Sequence, residues 1–172
     1  MNVLAFQYRF KTLSQTVFPC DSVEEWAFAY SNIKECILPR CTRIDFSAFA
    51  YSTVNSITGE KVRDVGEFTF VDCRELRKVH LPCLEKAETM GFAYCINLEQ
   101  ICLPNCIKLG SEAFRFCSKL RKVTLGQRCE IGKLCFANTP DDLIFEVNEE
   151  DYNWYKNVMC WRDYACQIVT AK

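Results

Sequence analysis

The 172-residue chain has a single histidine, His80, and only six glycines. Any Cys–His catalytic pair would depend on that one imidazole, and no surrounding motif supports it. The glycines form no phosphate-cradling loop, and no G-x-S-x-G elbow occurs. Carboxylates are scattered and make no convincing acid–base pair. Excess charge is lacking as well. The 21 Lys and Arg face 22 Asp and Glu, a net charge of −1, which argues against nucleic acid and anionic membrane as partners. Apolar runs are only a few residues long, so no membrane insertion is expected. Met1 to Lys11 lacks the charged start and apolar stretch of a signal peptide. The chain therefore reads as a non-enzyme, with no catalytic, cofactor-binding or metal-binding residues assigned and no cofactor expected.

Cysteine is plentiful, at 13 residues, an odd number that leaves at least one thiol unpaired. No C-x-x-C occurs, so the usual zinc and redox spacings are missing. An internal repeat explains most of the cysteines. Phenylalanine recurs at Phe6, Phe28, Phe49, Phe70, Phe92, Phe114 and Phe136, spaced 22, 21, 21, 22, 22 and 22. Six residues after three of these anchors a leucine pattern begins: Leu76-Val79-Leu81, Leu98-Ile101-Leu103 and Leu120-Val123-Leu125. Pro82 and Pro104 end the first two, and Gly126 takes that place in the third. Ile33-Cys36-Leu38-Pro39 and Leu13 to Pro19 are degraded copies. The copy at Val54 to Ile57 runs into Thr58-Gly59 without a proline and is expected to be the most irregular.

Each pattern alternates inward and outward residues, as a short strand does, and proline stops it. One such unit cannot bury its apolar face, but a stack of them can. The expected fold is an α/β repeat solenoid. It is a leucine-rich-repeat right-handed superhelix of about seven turns, with a short parallel β-sheet over residues 1–147 and a C-terminal helical cap over 148–172. Leu143 to Val147 reads as the last strand, and Asn148 as a helix N-cap before Glu149, Glu150 and Asp151. Tyr152, Tyr155, Val158, Trp161, Tyr164 and Ile168 form the apolar stripe of one capping helix. Met1 to Phe6 enters an anchor element directly, with no cap. The open rung there makes an end-to-end dimer the alternative to a monomer.

The stretch from Cys73 to Phe114 reads C-x-x-L-x-x-V-x-L-P, then C-x-x-L-x-x-I-x-L-P, then I-K-L-G-S-E-A-F. It resembles the BspA-like class of leucine-rich repeats, first described in bacterial surface proteins. Leu109-Gly110 and Ile131-Gly132 match the isoleucine–glycine turn of that class, and Ala113-Phe114 with Cys117 matches its last element. The resemblance implies a binding module for a protein or glycan, of adhesion type at a cell surface. The thiol richness points instead to a reducing cytoplasm.

Ten cysteines fall in repeat slots: Cys73, Cys95 and Cys117 after the anchor, Cys20, Cys41, Cys83, Cys106 and Cys129 after the strand, and Cys36 and Cys135 in place of core residues. They are expected to be buried thiols, whereas Cys102 sits at an outward strand position. Stacked outward positions nominate a mildly basic partner-binding strip: Arg77, Lys78, His80, Gln100, Cys102, Arg121, Lys122 and Thr124. A structural component that stacks end to end through the uncapped first rung is the alternative function.

Overall fold

The computed structural model describes residues 3–4 and 16–171. In chain order the strands are β1 (Val3–Leu4), β2 (Ser22–Val23), β3 (Glu35–Ile37), β4 (Arg43–Ile44), β5 (Ser56–Thr58), β6 (Asp64–Val65) and β7 (Lys78–His80). They continue with β8 (Lys86–Ala87), β9 (Gln100–Leu103), β10 (Lys108–Leu109), β11 (Lys122–Leu125), β12 (Glu130–Ile131), β13 (Ile144–Val147) and β14 (Ile168–Thr170). Helix α1 covers Glu149–Asn157, and a 3-10 segment covers Met159–Gln167. Every strand pairing is parallel. The fold is the expected leucine-rich-repeat solenoid. The first anchor, Phe6, and the degraded copy from Leu13 lie outside the described residues, apart from its end at Thr16 to Pro19.

The expected leucine-pattern strands form one face, paired as β3-β5-β7 and as β9-β11-β13. Cys36, Ile57, Val79, Ile101, Val123 and Phe145 stack in register on its inner side, and all but Val79 are buried. A second ladder runs β1-β2-β4-β6-β8-β10-β12. It uses the Leu109-Gly110 and Ile131-Gly132 positions, which the sequence suggested were turns. Two residues are too few to show alternation, so this ladder is silent in the hydrophobic pattern. Gly132 permits it, since a Cβ there would lie 2.4 Å from the Ser111 nitrogen one rung below.

A third ladder surrounds the phenylalanine anchors. Trp26, Phe28 and Tyr30 donate their backbone N–H groups to the carbonyls of Phe46, Ala48 and Ala50, at 3.2, 2.7 and 2.9 Å. The same triplet recurs up to Glu112, Phe114 and Phe116, which donate to Lys133, Cys135 and Ala137. Alternate residues turn left-handed to make this possible. Those two places before and after each described anchor have positive φ, from Trp26 and Tyr30 to Leu134 and Asn138, and none is glycine. Left-handed backbone costs a non-glycine residue roughly 1–2 kcal/mol, and three bonds to the next rung offset that cost.

Inside, the anchors Phe28, Phe49, Phe70, Phe92, Phe114 and Phe136 stack face to face, with centroids 4.8 to 5.3 Å apart. Each is buried, worth roughly 1.5–3 kcal/mol by area. The turn at Thr58-Gly59 is more regular than its sequence suggests. Gly59 occupies the slot of the last strand leucine, and the Val62 side chain fills the vacated space, 2.6 Å from where a Cβ on Gly59 would stand. Its N–H still donates to the His80 carbonyl at 2.9 Å, as Leu38 donates to Thr58 at 2.8 Å. The ladder breaks one rung later instead, between β7 and β9.

The cap also differs from expectation. Helix α1 ends at Asn157, Val158 is extended, and the chain continues as a 3-10 segment and then β14, which pairs with β13. The apolar stripe explains this break. Its spacings are mostly three, which suits 3.0 residues per turn and drifts around a 3.6-residue helix. Asn148 stands at the N-cap but makes no side-chain cap bond. Its amide donates instead to the Gly126 carbonyl one rung back, as Asn105 does to Pro82 at 2.8 Å.

Cap side chains take over the bonds a further rung would make. The Tyr155 hydroxyl accepts from the Cys129 N–H at 3.0 Å and donates to the Gln127 carbonyl. The Trp161 indole N–H donates to the Cys129 carbonyl at 2.7 Å. Phe145 and Tyr164 meet the last stacked ring, Phe136, edge-on at 4.8 and 5.6 Å. No helix among the described residues is long and apolar enough to cross a membrane.

A candidate partner groove on the strand face

Short strands point alternate residues outward, so each rung from β7 onward presents two side chains beside those of its neighbour. In register these are Lys122 with Gln100 and Thr124 with Cys102. Lys78 and His80 continue the two rows on β7. β7 and β9 lie adjacent yet share no ladder, and Val79 between the two rows is only half-buried where its counterparts are sealed. The opening forms a groove of about 400 Å³. Seven of the eight strip residues line it: Arg77, Lys78, His80, Gln100, Cys102, Lys122 and Thr124. Arg121 does not. It belongs to a neighbouring depression with Glu99 and Lys119, and it pairs with Asp142 at 3.3 Å.

The groove walls are basic and hydrogen-bonding. Lys122 Nζ lies 2.8 Å from Glu146 Oε2, and the Thr124 hydroxyl donates to the same oxygen at 3.2 Å. The Lys122 ammonium holds the Glu146 carboxyl below its ordinary value. His80 Nε2 lies 3.0 Å from Glu60 Oε1. Arg77 and Lys78 are exposed, and neither side chain has an ion-pair or hydrogen-bond partner among the described residues.

Sequence reasoning missed two carboxylates here. Glu146 was within reach, because it lies 22 residues beyond Thr124 and pairs with it in register. Glu60 was not, because it follows the one rung whose strand-end pattern is lost. Ser56 and Thr58 complete the lining from β5.

The cysteines divide largely as expected. Cys20, Cys36, Cys41, Cys73, Cys95, Cys106, Cys117, Cys129 and Cys135 are buried free thiols, Cys83 and Cys160 half-buried, and Cys102 and Cys166 exposed. Their slot has a reason. The thiols of Cys73, Cys95 and Cys117 donate to the carbonyls of Phe49, Phe70 and Phe92, each the anchor of the preceding rung, at 3.0, 3.3 and 3.2 Å. Ser52 and Thr139 occupy the same position three residues after an anchor, so the slot takes a small side chain with one donor. Burial pushes the thiols of Cys73 and Cys117 up to about 12, which keeps them protonated and unreactive. Among the described residues no group of three or more His, Cys, Asp or Glu is placed to hold a metal ion.

The family model of the BspA type leucine rich repeat region matches residues 42–149 in 6 copies. The chain is similar to the crystal structure of a leucine rich repeat protein of T. pallidum, with TM-score 0.62 and 20% identity. That match covers 75% of this chain and 64% of the other. It is also similar to the crystal structure of the pneumococcal vaccine antigen PcpA, with TM-score 0.56 and 19% identity over 74% of this chain and 51% of that one. The chain thus spans less than two thirds of each. No curated protein matches it.

Proposed function

Because the chain belongs to the BspA type leucine-rich-repeat family, we propose that it is a binding module whose strand-face groove receives a segment of another protein. One observation carries this reading. The groove lies where the strand ladder parts, and it gathers seven outward side chains that repeat logic alone had nominated. Repeat solenoids use such stacked positions because neighbouring rungs set equivalent residues side by side. The lining holds no Phe, Tyr or Trp on which a sugar face could stack, which favours protein over glycan. An adhesion-type role at a cell surface is the setting this reading takes from the family.

The test is unbiased peptide selection. A random displayed peptide library is panned on the protein, and hydrogen exchange then maps where the winners bind. Protection of β7, β9 and β11, lost on Gln100→Trp filling of the groove, is the expected result. Winners that protect only the anchor-turn face, or bind Gln100→Trp unchanged, would overturn the proposal.

A further inference from the structure

We infer that the occupant of this groove is an acidic, extended protein segment, anchored by carboxylates on Arg77 and Lys78; this rests on the groove reading above. The argument is one of unmet charge. Most cations near the strand face already have a carboxylate: Lys34 with Glu75, Arg121 with Asp142, Lys122 with Glu146 and His80 with Glu60. Arg77 and Lys78 are consecutive, exposed and unpartnered among the described residues. Lys61, Lys86, Lys133 and Arg162 are also unpaired, but none of them lines the groove.

The carboxylates at the rim of the groove, Glu60 and Glu146, are already held by His80 and Lys122. Glu35, which shares a neighbouring depression with Arg77 and Lys78, pairs with neither, so a carboxylate entering the groove meets two unneutralised cations. The guanidinium of Arg77 can take a carboxylate in two parallel bonds, and the Lys78 ammonium adds a point charge beside it. The missing ladder between β7 and β9 supplies the second element of recognition. An extended peptide carries main-chain donors and acceptors of its own, which suit a strand edge that has no ladder to its neighbour. Gln100 and Thr124 continue the path with neutral hydrogen-bonding groups.

The experiment is fluorescence anisotropy with a labelled decaglutamate peptide on the whole chain, at low and physiological salt. Decalysine and a heparin-derived oligosaccharide serve as comparison ligands. Decaglutamate is expected to saturate, and decalysine not. Arg77→Ser with Lys78→Ser should weaken the decaglutamate Kd at least tenfold, with an unchanged melting temperature because both side chains are exposed. Arg77→Lys with Lys78→Arg should retain most of the affinity. No binding of decaglutamate, equal binding by the serine variant, or saturation by heparin alone would each overturn the inference. Failure of decaglutamate while library-selected peptides still protect β7 and β9 removes the acidic specificity and leaves the groove. Failure of both removes the groove as well.

Discussion

The anchor-turn face and the strand face are two sides of the same rungs, but their ladders are built under different rules. On the turn face every rung from Trp26 to Phe116 repeats three backbone bonds without interruption. Below it lies an unbroken stack of phenylalanines. On the strand face the ladder parts between β7 and β9, and outward residues change freely from rung to rung. One face therefore fixes the spacing of the rungs, while the other can vary its side chains and lose a pairing without losing the fold. Separation of a rigid scaffold from a variable surface is what recognition by a repeat protein requires.

The strongest way to break the contrast is to cut the stack. Phe92→Ala removes a ring packed on both faces, and should cost about 3–5 kcal/mol in denaturant unfolding. Gln100→Ala on the strand face of the next rung should cost under about 0.5 kcal/mol. Equal losses would show that both faces bear the fold alike. Next in size is Gly126→Ala. A Cβ there would lie 2.3 Å from the Pro104 carbonyl oxygen, so the rung must shift, at a cost of about 1–3 kcal/mol.

Leu134→Gly sharpens the comparison by reversing the sign. Leu134 is 59% exposed with φ of 55°, so glycine should raise stability by about 0.5–1 kcal/mol. Thr124→Gly in a strand of the other face should lower it by a similar amount. The smallest effect is electrostatic. Lys122→Met should raise the Glu146 carboxyl toward its ordinary value, read by carbon NMR titration. A depressed carboxyl contributes stability above its unfolded value, and that contribution is lost as pH falls through the folded one. The two proteins should therefore differ in stability at neutral pH and converge in acid.

The division between faces also explains what the sequence revealed. The anchors and leucine patterns were legible because their side chains are large, apolar and periodic. Cys73, Cys95 and Cys117 could be placed because they keep register with the anchors. The left-handed residues were hidden, since positions such as Phe68, Met90 and Glu112 carry no glycine or asparagine to mark them; only bonds to the next rung impose that backbone. The β2-to-β12 ladder was hidden because two-residue strands leave no pattern. In the cap, the stripe from Tyr152 to Ile168 named the residues that pack, while its three-residue spacing held the break at Val158. At the groove the strip was legible as outward positions. The ladder break that opens it was not, because Leu81-Pro82 and Leu103-Pro104 look alike in sequence.

The turn-face bonds all run one way, from the N–H groups of one rung to the carbonyls of the next. Each interior rung therefore presents the same triplet of acceptors to the rung before it and the same triplet of donors to the one after. A whole 22-residue unit could be excised or duplicated, and the junction would still match donor to acceptor and ring to ring. Length in such a chain is open to change by unequal recombination between its own repeats, and a gene of this kind can lengthen or shorten its strand face without inventing a new interface between rungs.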